Sequence, residues 1–159
     1  MKITVACVGR VKEKYLRDGI AEYEKRLQNY CRIGFCEVSD EPTREGASPR
    51  EDMAVKQKEG SRLLSVIPGD AFVIALDRKG ESLDSVSFAR KMEDLAVSGR
   101  SHLVFVIGGS LGLSPEVLKR ADYRLSFSRM TFPHQLMRLI LLEQIYRCFR
   151  IIRGEPYHK

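Results

Sequence analysis

The residues best suited to chemistry crowd the last third of the chain. An apolar run, Leu103 to Ile107, leads into Gly108-Gly109-Ser110-Leu111-Gly112. Glycines placed there let backbone N–H and C=O groups approach a ligand closely. Further on, Ser126-Phe127-Ser128-Arg129-Met130-Thr131-Phe132-Pro133-His134 mixes hydroxyls, a cation, a thioether and two aromatics. Such a segment can wrap an adenine and offer main-chain hydrogen bonds. The chain closes on Arg153-Gly154-Glu155-Pro156-Tyr157-His158-Lys159. Cations of this kind contact phosphates, and aromatics stack on unpaired bases. Each segment also has a plainer reading. The glycine pair can simply make a tight turn, Met130 and Phe132 can pack on the core, and a seven-residue tail can be disordered.

Hydrophobic patterning indicates what positions these residues. Ile3 to Val8, Ile33 to Val38, Ala71 to Leu76, Leu103 to Ile107 and Tyr123 to Phe127 read as strands. Helical spacing covers Lys14 to Cys31, Val86 to Val97 and about 135–152, with a short helix from Glu116 to Ala121. Ser48-Pro49-Arg50-Glu51 is a capping box with proline at the first helical position, opening a mostly polar helix to about Ile67 that Gly60 weakens. Arg78 to Ser82 reads as a loop. Strands alternating with helices predict a single α/β domain over 1–159, with a mostly parallel sheet covered on both faces. Ligands in such sheets bind beyond the carboxyl ends of the strands. Three of those ends are chemically marked: Leu76-Asp77, Gly108-Gly109, and Phe127 to Phe132.

The final helix is apolar nearly all round, from Leu136 and Met137 to Tyr146 and Phe149, so it is expected at a dimer interface, core burial being the alternative. Glu143 and Arg147 form an i,i+4 pair on its polar side. His134 sits near its start, where the helix dipole disfavours imidazolium, and reads as a cap or packing residue.

Charge is distributed unevenly. Residues 119–159 carry nine Lys and Arg against three Asp and Glu, an excess of six that equals that of the whole chain. The positive field therefore belongs to the segment holding the candidate site, which suggests a polyanionic partner such as nucleic acid or a membrane surface, its concentration in one segment favouring nucleic acid. Cysteines at 7, 31, 36 and 148 have no CxxC spacing, and with three histidines they offer no zinc template. They read as reduced, cytosolic thiols, and a cytoplasmic location is expected. The apolar stretch Ile3 to Gly9 is too short for a signal peptide, and no apolar run approaches the roughly 18–20 residues of a membrane span. The glycine loop is neither a P-loop nor a GxGxxG fingerprint.

These residues resemble a known family over the full length of the chain. The runs Met130-Thr131-Phe132-Pro133-His134-Gln135 and Arg153 to Lys159, with Met1 to Leu16 and the Phe105 to Leu113 loop, are similar to those of the small bacterial SPOUT-class methyltransferases. Those enzymes methylate N3 of a pseudouridine in large-subunit (23S) ribosomal RNA. The resemblance implies an α/β fold with a C-terminal trefoil knot, a feature no periodicity argument would foresee. It implies an obligate homodimer in which one protomer's C-terminal tail helps complete the other's site. It also implies S-adenosylmethionine bound at Leu76, Gly108, Phe127, Ser128, Arg129, Met130, Thr131 and Phe132, without a metal. The substrate implied is a hairpin-loop pseudouridine, preferably in the assembled ribosome. Two positions depart from the family's habit: Leu111 stands where a polar residue is frequent, and Arg129 where Lys is common.

A sulfonium methyl is already electrophilic, so the protein must orient the base and handle the N3 proton. Tyr157 and His158 are expected to position the base or transfer its proton, and Arg153 and Lys159 to contact RNA phosphates. Two other classes make different demands. A non-catalytic ribosome-binding protein would bind ribosomes regardless of the methyl donor. A nucleotide enzyme of another α/β family would respond to ATP or NAD instead.

Overall fold

A computed structural model describes all 159 residues. Five strands, β1 (Lys2–Val8), β2 (Arg32–Val38), β3 (Phe72–Ser82), β4 (His102–Ile107) and β5 (Tyr123–Ser126), alternate with five helices. The helices are α1 (Lys14–Leu27), α2 (Pro49–Ser65), α3 (Ser85–Val97), α4 (Pro115–Arg120) and α5 (His134–Ile152). The strands form one sheet in the order β2-β1-β4-β3-β5, parallel throughout.

A sheet covered on both faces needs strands apolar at successive positions, and β1 is buried continuously from Ile3 to Val8. Its side chains alternate between two cores. Ile3, Val5 and Cys7 join Ile74, Leu103 and Phe105 beneath α1, α3 and α5. Ala6 and Val8 join Val73, Val104 and Val106 beneath Leu63 of α2 and Val117 of α4. Small and β-branched residues dominate the second face, so α2 and α4 sit close to it. Side-chain caps set three helix starts: Ser48 and Ser114 accept from Glu51 and Val117 N–H, and Asp84 from Ser87 N–H at 2.7 Å.

Three local expectations change. Helix α1 stops at Leu27 rather than Cys31, because Tyr30 and Cys31 N–H both fold back onto the Leu27 carbonyl and turn the chain into β2. Arg78 to Ser82 is not a simple loop. Strand β3 continues to Ser82 and meets β5 twice, with both Leu76 and Glu81 opposite Leu125, so Asp77 to Gly80 bulge outward. That polar stretch has no alternation to betray a strand. Gly80 is required where the bulge crosses β5, since a Cβ would lie 2.7 Å from the Arg124 backbone carbonyl.

Helix α2 is also less peripheral than its polarity suggests. Glu59, Gly60 and Leu63 are buried. Gly60 does not weaken this helix for nothing: a Cβ there would overlap the Ser114 hydroxyl that caps α4. Gly60→Ala should therefore lower stability by about 1–2 kcal/mol, overpacking outweighing the helix propensity gained. A denaturation midpoint equal to or above wild type would show that α4 yields freely.

Helix α5 lies against both α1 and α3, with Leu141, Leu142, Ile145 and Cys148 fully buried over the sheet. None of its 19 residues is exposed even in the single chain, so much of its apolar surface is accounted for by the core. The glycine-to-side-chain fit of Gly19 against Leu139 shows how closely α1 approaches.

Candidate functional site

The carboxyl ends of β3, β4 and β5 open into a cavity of about 940 Å³, in the range of drug-sized ligand sites. Leu76, Gly108, Phe127, Ser128, Met130, Thr131 and Phe132 all line it, as the strand ends predict. Arg129 is the exception among the expected binding residues: it is exposed and does not line the cavity. Leu111 does line it, at the rim of the glycine loop.

The glycine loop is a true turn and a cavity wall at once. Gly112 N–H donates to the Gly109 carbonyl at 3.1 Å, and Gly112 has φ 89°. A Cβ on Gly108 would stand 2.7 Å from the Gly112 carbonyl carbon. Behind the loop lies Glu59, 4% exposed, its carboxylate against Gly109. Its Oε2 accepts from Glu41 N–H at 3.0 Å, while the buried Oε1 has no partner. Burial pushes this carboxyl above the usual range.

The 126–134 segment holds its shape through short polar ties. Ser126 Oγ donates to the Ser128 carbonyl at 3.1 Å, and Ser128 Oγ accepts from Met130 N–H at 3.0 Å. Arg78 from the β3 bulge donates to Thr131 Oγ1 at 2.9 Å. Phe127 is anchored edge-on against Phe88 of α3, 6.2 Å between centroids. Met130 is 73% exposed, so it is a rim residue and not core packing. Lys56, Arg78, Lys79 and Arg124 add positive charge to the same cavity.

The segment ends on α5, whose second turn the structure ties to β1. Arg138 is 1% exposed. It donates to the Val8 and Gly9 carbonyls, both at 2.8 Å, and to Glu37 at 2.7 Å. Four residues earlier, His134 is half-buried and lines the cavity. Burial and the Arg138 charge lower its pKa, against an opposing pull from Asp40. Sequence reasoning gave Arg138, Glu59 and Lys56 no role. An arginine inside an otherwise apolar helix stretch was the one signal available for Arg138.

The tail is ordered, contrary to the simple disorder reading. Tyr157 OH donates to Glu143 at 3.0 Å and lies 3.1 Å from Tyr23 OH. Burial and these two neighbours push its phenol well above the ordinary value. Its ring is edge-on to Tyr146 at 4.9 Å and beneath the Arg147 guanidinium at 4.8 Å. Arg147 Nη1 lies 3.0 Å from His158 Nδ1. Glu155 pairs with Arg150 and accepts from Tyr30 OH at 2.7 Å. Arg153 lies over the Tyr30 ring, 4.5 Å from its centroid, and Lys159 is exposed. The Glu143–Arg147 pair thus organises the tail instead of lying free in solvent. None of Arg153, Tyr157, His158 or Lys159 lines the cavity. The 19 residues of α5, about 28 Å end to end, separate the two.

No group of three or more His, Cys, Asp or Glu side chains is placed to hold a metal ion. No helix is long and apolar enough to cross a membrane.

Comparison with known proteins identifies the family. A family model described as a predicted SPOUT methyltransferase matches residues 1–158. A ribosomal RNA large subunit methyltransferase H from Bifidobacterium adolescentis is 61% identical over 159 residues, covering all of both chains. Its counterparts from Carboxydothermus hydrogenoformans and Clostridium kluyveri are 60% and 55% identical over the same full span. Among solved structures, a probable methylase family protein from Haemophilus influenzae shares the fold, with a TM-score of 0.54 at 12% identity. That match covers 99% of this chain and 70% of that one. Taken with a parallel sheet whose strand ends and glycine loop enclose a cavity of about 940 Å³, these matches place the chain in the SPOUT methyltransferase family, and it is a methyltransferase.

Proposed function

We propose that the chain methylates N3 of a pseudouridine in a hairpin loop of 23S ribosomal RNA, acting in the cytoplasm on assembled ribosomes. The relatives' names support the RNA class: three full-length matches are methyltransferases of large-subunit ribosomal RNA. S-adenosylmethionine supplies an electrophilic methyl group when bound, with no metal required. The cavity fits such a donor. At about 940 Å³ it has room for the donor's nucleoside and amino-acid parts, and Gly108 brings bare backbone to its wall. Leu76, Gly108, Phe127, Ser128, Met130, Thr131 and Phe132 would hold it, and Arg129 would act from the outer side of the same loop.

The observation that carries the reading further is the distance between cavity and tail. A tail about 28 Å away along α5 cannot serve its own chain's cavity while folded as it is. A homodimer with α5 helices facing across a two-fold axis would set each tail at its partner's cavity. Tyr157 and His158 would then hold the target base, and Arg153 and Lys159 its flanking phosphates. The C-terminal segment is proposed to be knotted, as the family resemblance implies.

Methyl transfer from labelled S-adenosylmethionine to ribosomes lacking the modification tests the reaction, with protein-free RNA in parallel. Label recovered in 3-methylpseudouridine is the expected result; label in another nucleoside would refute the acceptor. A mixing experiment tests the dimer. A chain lacking Glu155 to Lys159 should bind donor normally yet turn over at least about 100-fold more slowly, since positioning supplies much of the barrier reduction. Mixed in equal amounts with Gly108→Ala protomers, it should regain up to about a quarter of wild-type activity, since half of the dimers are mixed and each of those has one intact site. Failure to regain any activity in a confirmed heterodimer would mean the tail acts on its own chain.

A further inference from the structure

We propose that His134 is the general base of the reaction, taking the N3 proton as the base is methylated. This rests on the N3 reading above. N3 of an imide is a poor nucleophile until its proton has somewhere to go. In the step, the N3–H bond breaks and the proton passes to a ring nitrogen of His134. N3 bonds to the methyl carbon, and the carbon–sulfur bond breaks with its electron pair left on sulfur. One positive charge enters on the sulfonium and one leaves on the imidazolium, which then releases its proton to solvent.

The placement of the three histidines points to this residue. His102 lies at the amino end of β4, where Nε2 meets Thr4 Oγ1 at 2.9 Å, at the opposite end of the sheet from the cavity. His158 has its Nδ1 occupied by an arginine N–H from Arg147 at 3.0 Å. A guanidinium only donates, so the neutral His158 ring must carry its proton on Nε2. That makes His158 a donor toward a base carbonyl and not a proton acceptor. Tyr157 has its hydroxyl engaged by both Glu143 and Tyr23. His134 alone lines the cavity, and its ring makes no side-chain hydrogen bond within the chain.

The surroundings keep that ring neutral and able to accept. It is the first residue of α5, at the positive end of the helix dipole. Arg138 stands one turn later on the same helix, while Asp40, from the loop after β2, pulls in the opposite direction. The balance lowers the pKa below the ordinary histidine value, which favours the neutral imidazole. The sign for catalysis is plain. A base must be unprotonated, so the rate should fall as pH drops through the lowered value, below the ordinary histidine value of about 6.5.

Second-order rate constants (kcat/KM) on modification-free ribosomes, which report groups of the free enzyme, are measured from low to neutral pH to test the assignment. His134→Gln is expected to lower the rate about 10²- to 10⁴-fold and to remove the acid limb. Its affinity for S-adenosylhomocysteine, measured by calorimetry, should stay within about three-fold of wild type, well short of the ten-fold that 1.4 kcal/mol represents. Added imidazole should restore part of the rate to His134→Ala. In the wild-type protein without ligands, the His134 ring resonance should titrate at the midpoint of the kinetic acid limb. A variant retaining rate and acid limb, or a wild-type titration that misses the kinetic midpoint, would overturn the proposal. The titration decides it even if both variants misfold. Were wild type to methylate no pseudouridine at N3, the reading of the reaction would fail first. Were wild type active and His134→Gln equally so, only the base assignment would fail.

Discussion

Replacing Arg138 with alanine is expected to lower stability by about 3–4 kcal/mol, a large share of a domain's usual 5–15. The reason is the number of acceptors one guanidinium serves. It ends in the fold at 1% exposure, bonded to the carbonyls of Val8 and Gly9 and to Glu37. Those carbonyls close β1 just where the chain leaves the sheet, so no further strand pairing satisfies them. Removing the side chain strands them along with a carboxylate, and opens a cavity under α5. Glu37 is 43% exposed on its side chain, so water recovers part of its loss, which holds the figure below the top of the range. Arg138→Lys should recover about half, since one ammonium keeps the charge but cannot fork to all three acceptors. Arg138→Met tests the opposite idea, that shape matters more than pairing. Guanidinium unfolding curves are the measurement. A methionine variant within about 1 kcal/mol of wild type would mean the three bonds add little net stability.

The same arginine shows where sequence reasoning succeeds and where it stops. The sheet was legible because parallel strands buried on two faces leave unbroken apolar runs. Ile3 to Val8 and Leu103 to Ile107 are such runs, and both are buried strands in the structure. Capping chemistry was legible too: Ser48 with Pro49 and Glu51 opens α2 as its types and spacing require. The β3 extension was not. Asp77 to Ser82 pairs with β5 only because the chain returns to Leu125 after a crossover, and no local pattern encodes that partner. Gly60 was misjudged for a similar reason. Its local effect on a helix is unfavourable, but its packing against Ser114 is a contact 54 positions away.

The site divides along the same line. Strand ends and their glycines announced the cavity, because close backbone approach demands glycine locally. Roles that depend on a distant partner did not show. Glu59 reads as one more surface acid in a polar helix, yet it lies buried against Gly109 with one unpartnered oxygen. His134 reads as a helix start, and only the cavity wall and the engagement of His158 by Arg147 change its standing. From its composition the tail reads either as a cationic arm or as a flexible end. Its order comes from Tyr23 and Tyr30, more than 120 positions earlier in the chain.

Gly108→Ala is expected to weaken methyl-donor binding about 10- to 100-fold while leaving the fold largely intact. The added methyl would meet the Gly112 carbonyl carbon at 2.7 Å and its oxygen at 2.8 Å. Both are backbone atoms in a turn already closed by the Gly112-to-Gly109 hydrogen bond, so they cannot swing aside as a side chain would. Relief requires opening the turn that forms the cavity wall. Overpacking of this kind costs about 1–3 kcal/mol, and each 1.4 kcal/mol is ten-fold in affinity. Gly109→Ala is the informative comparison. Its nearest neighbour is the Glu59 carboxylate at 2.9 Å, the far end of a side chain that can rotate. The second variant should therefore lose less affinity, and Gly109→Ala combined with Glu59→Gln should behave much as Gly109→Ala alone. Calorimetric titration with S-adenosylhomocysteine measures all three. Equal losses at both glycines would mean that the whole loop moves as a unit. Wild-type affinity in Gly108→Ala would remove the donor from this cavity, and with it the reading of the three strand ends as one binding site.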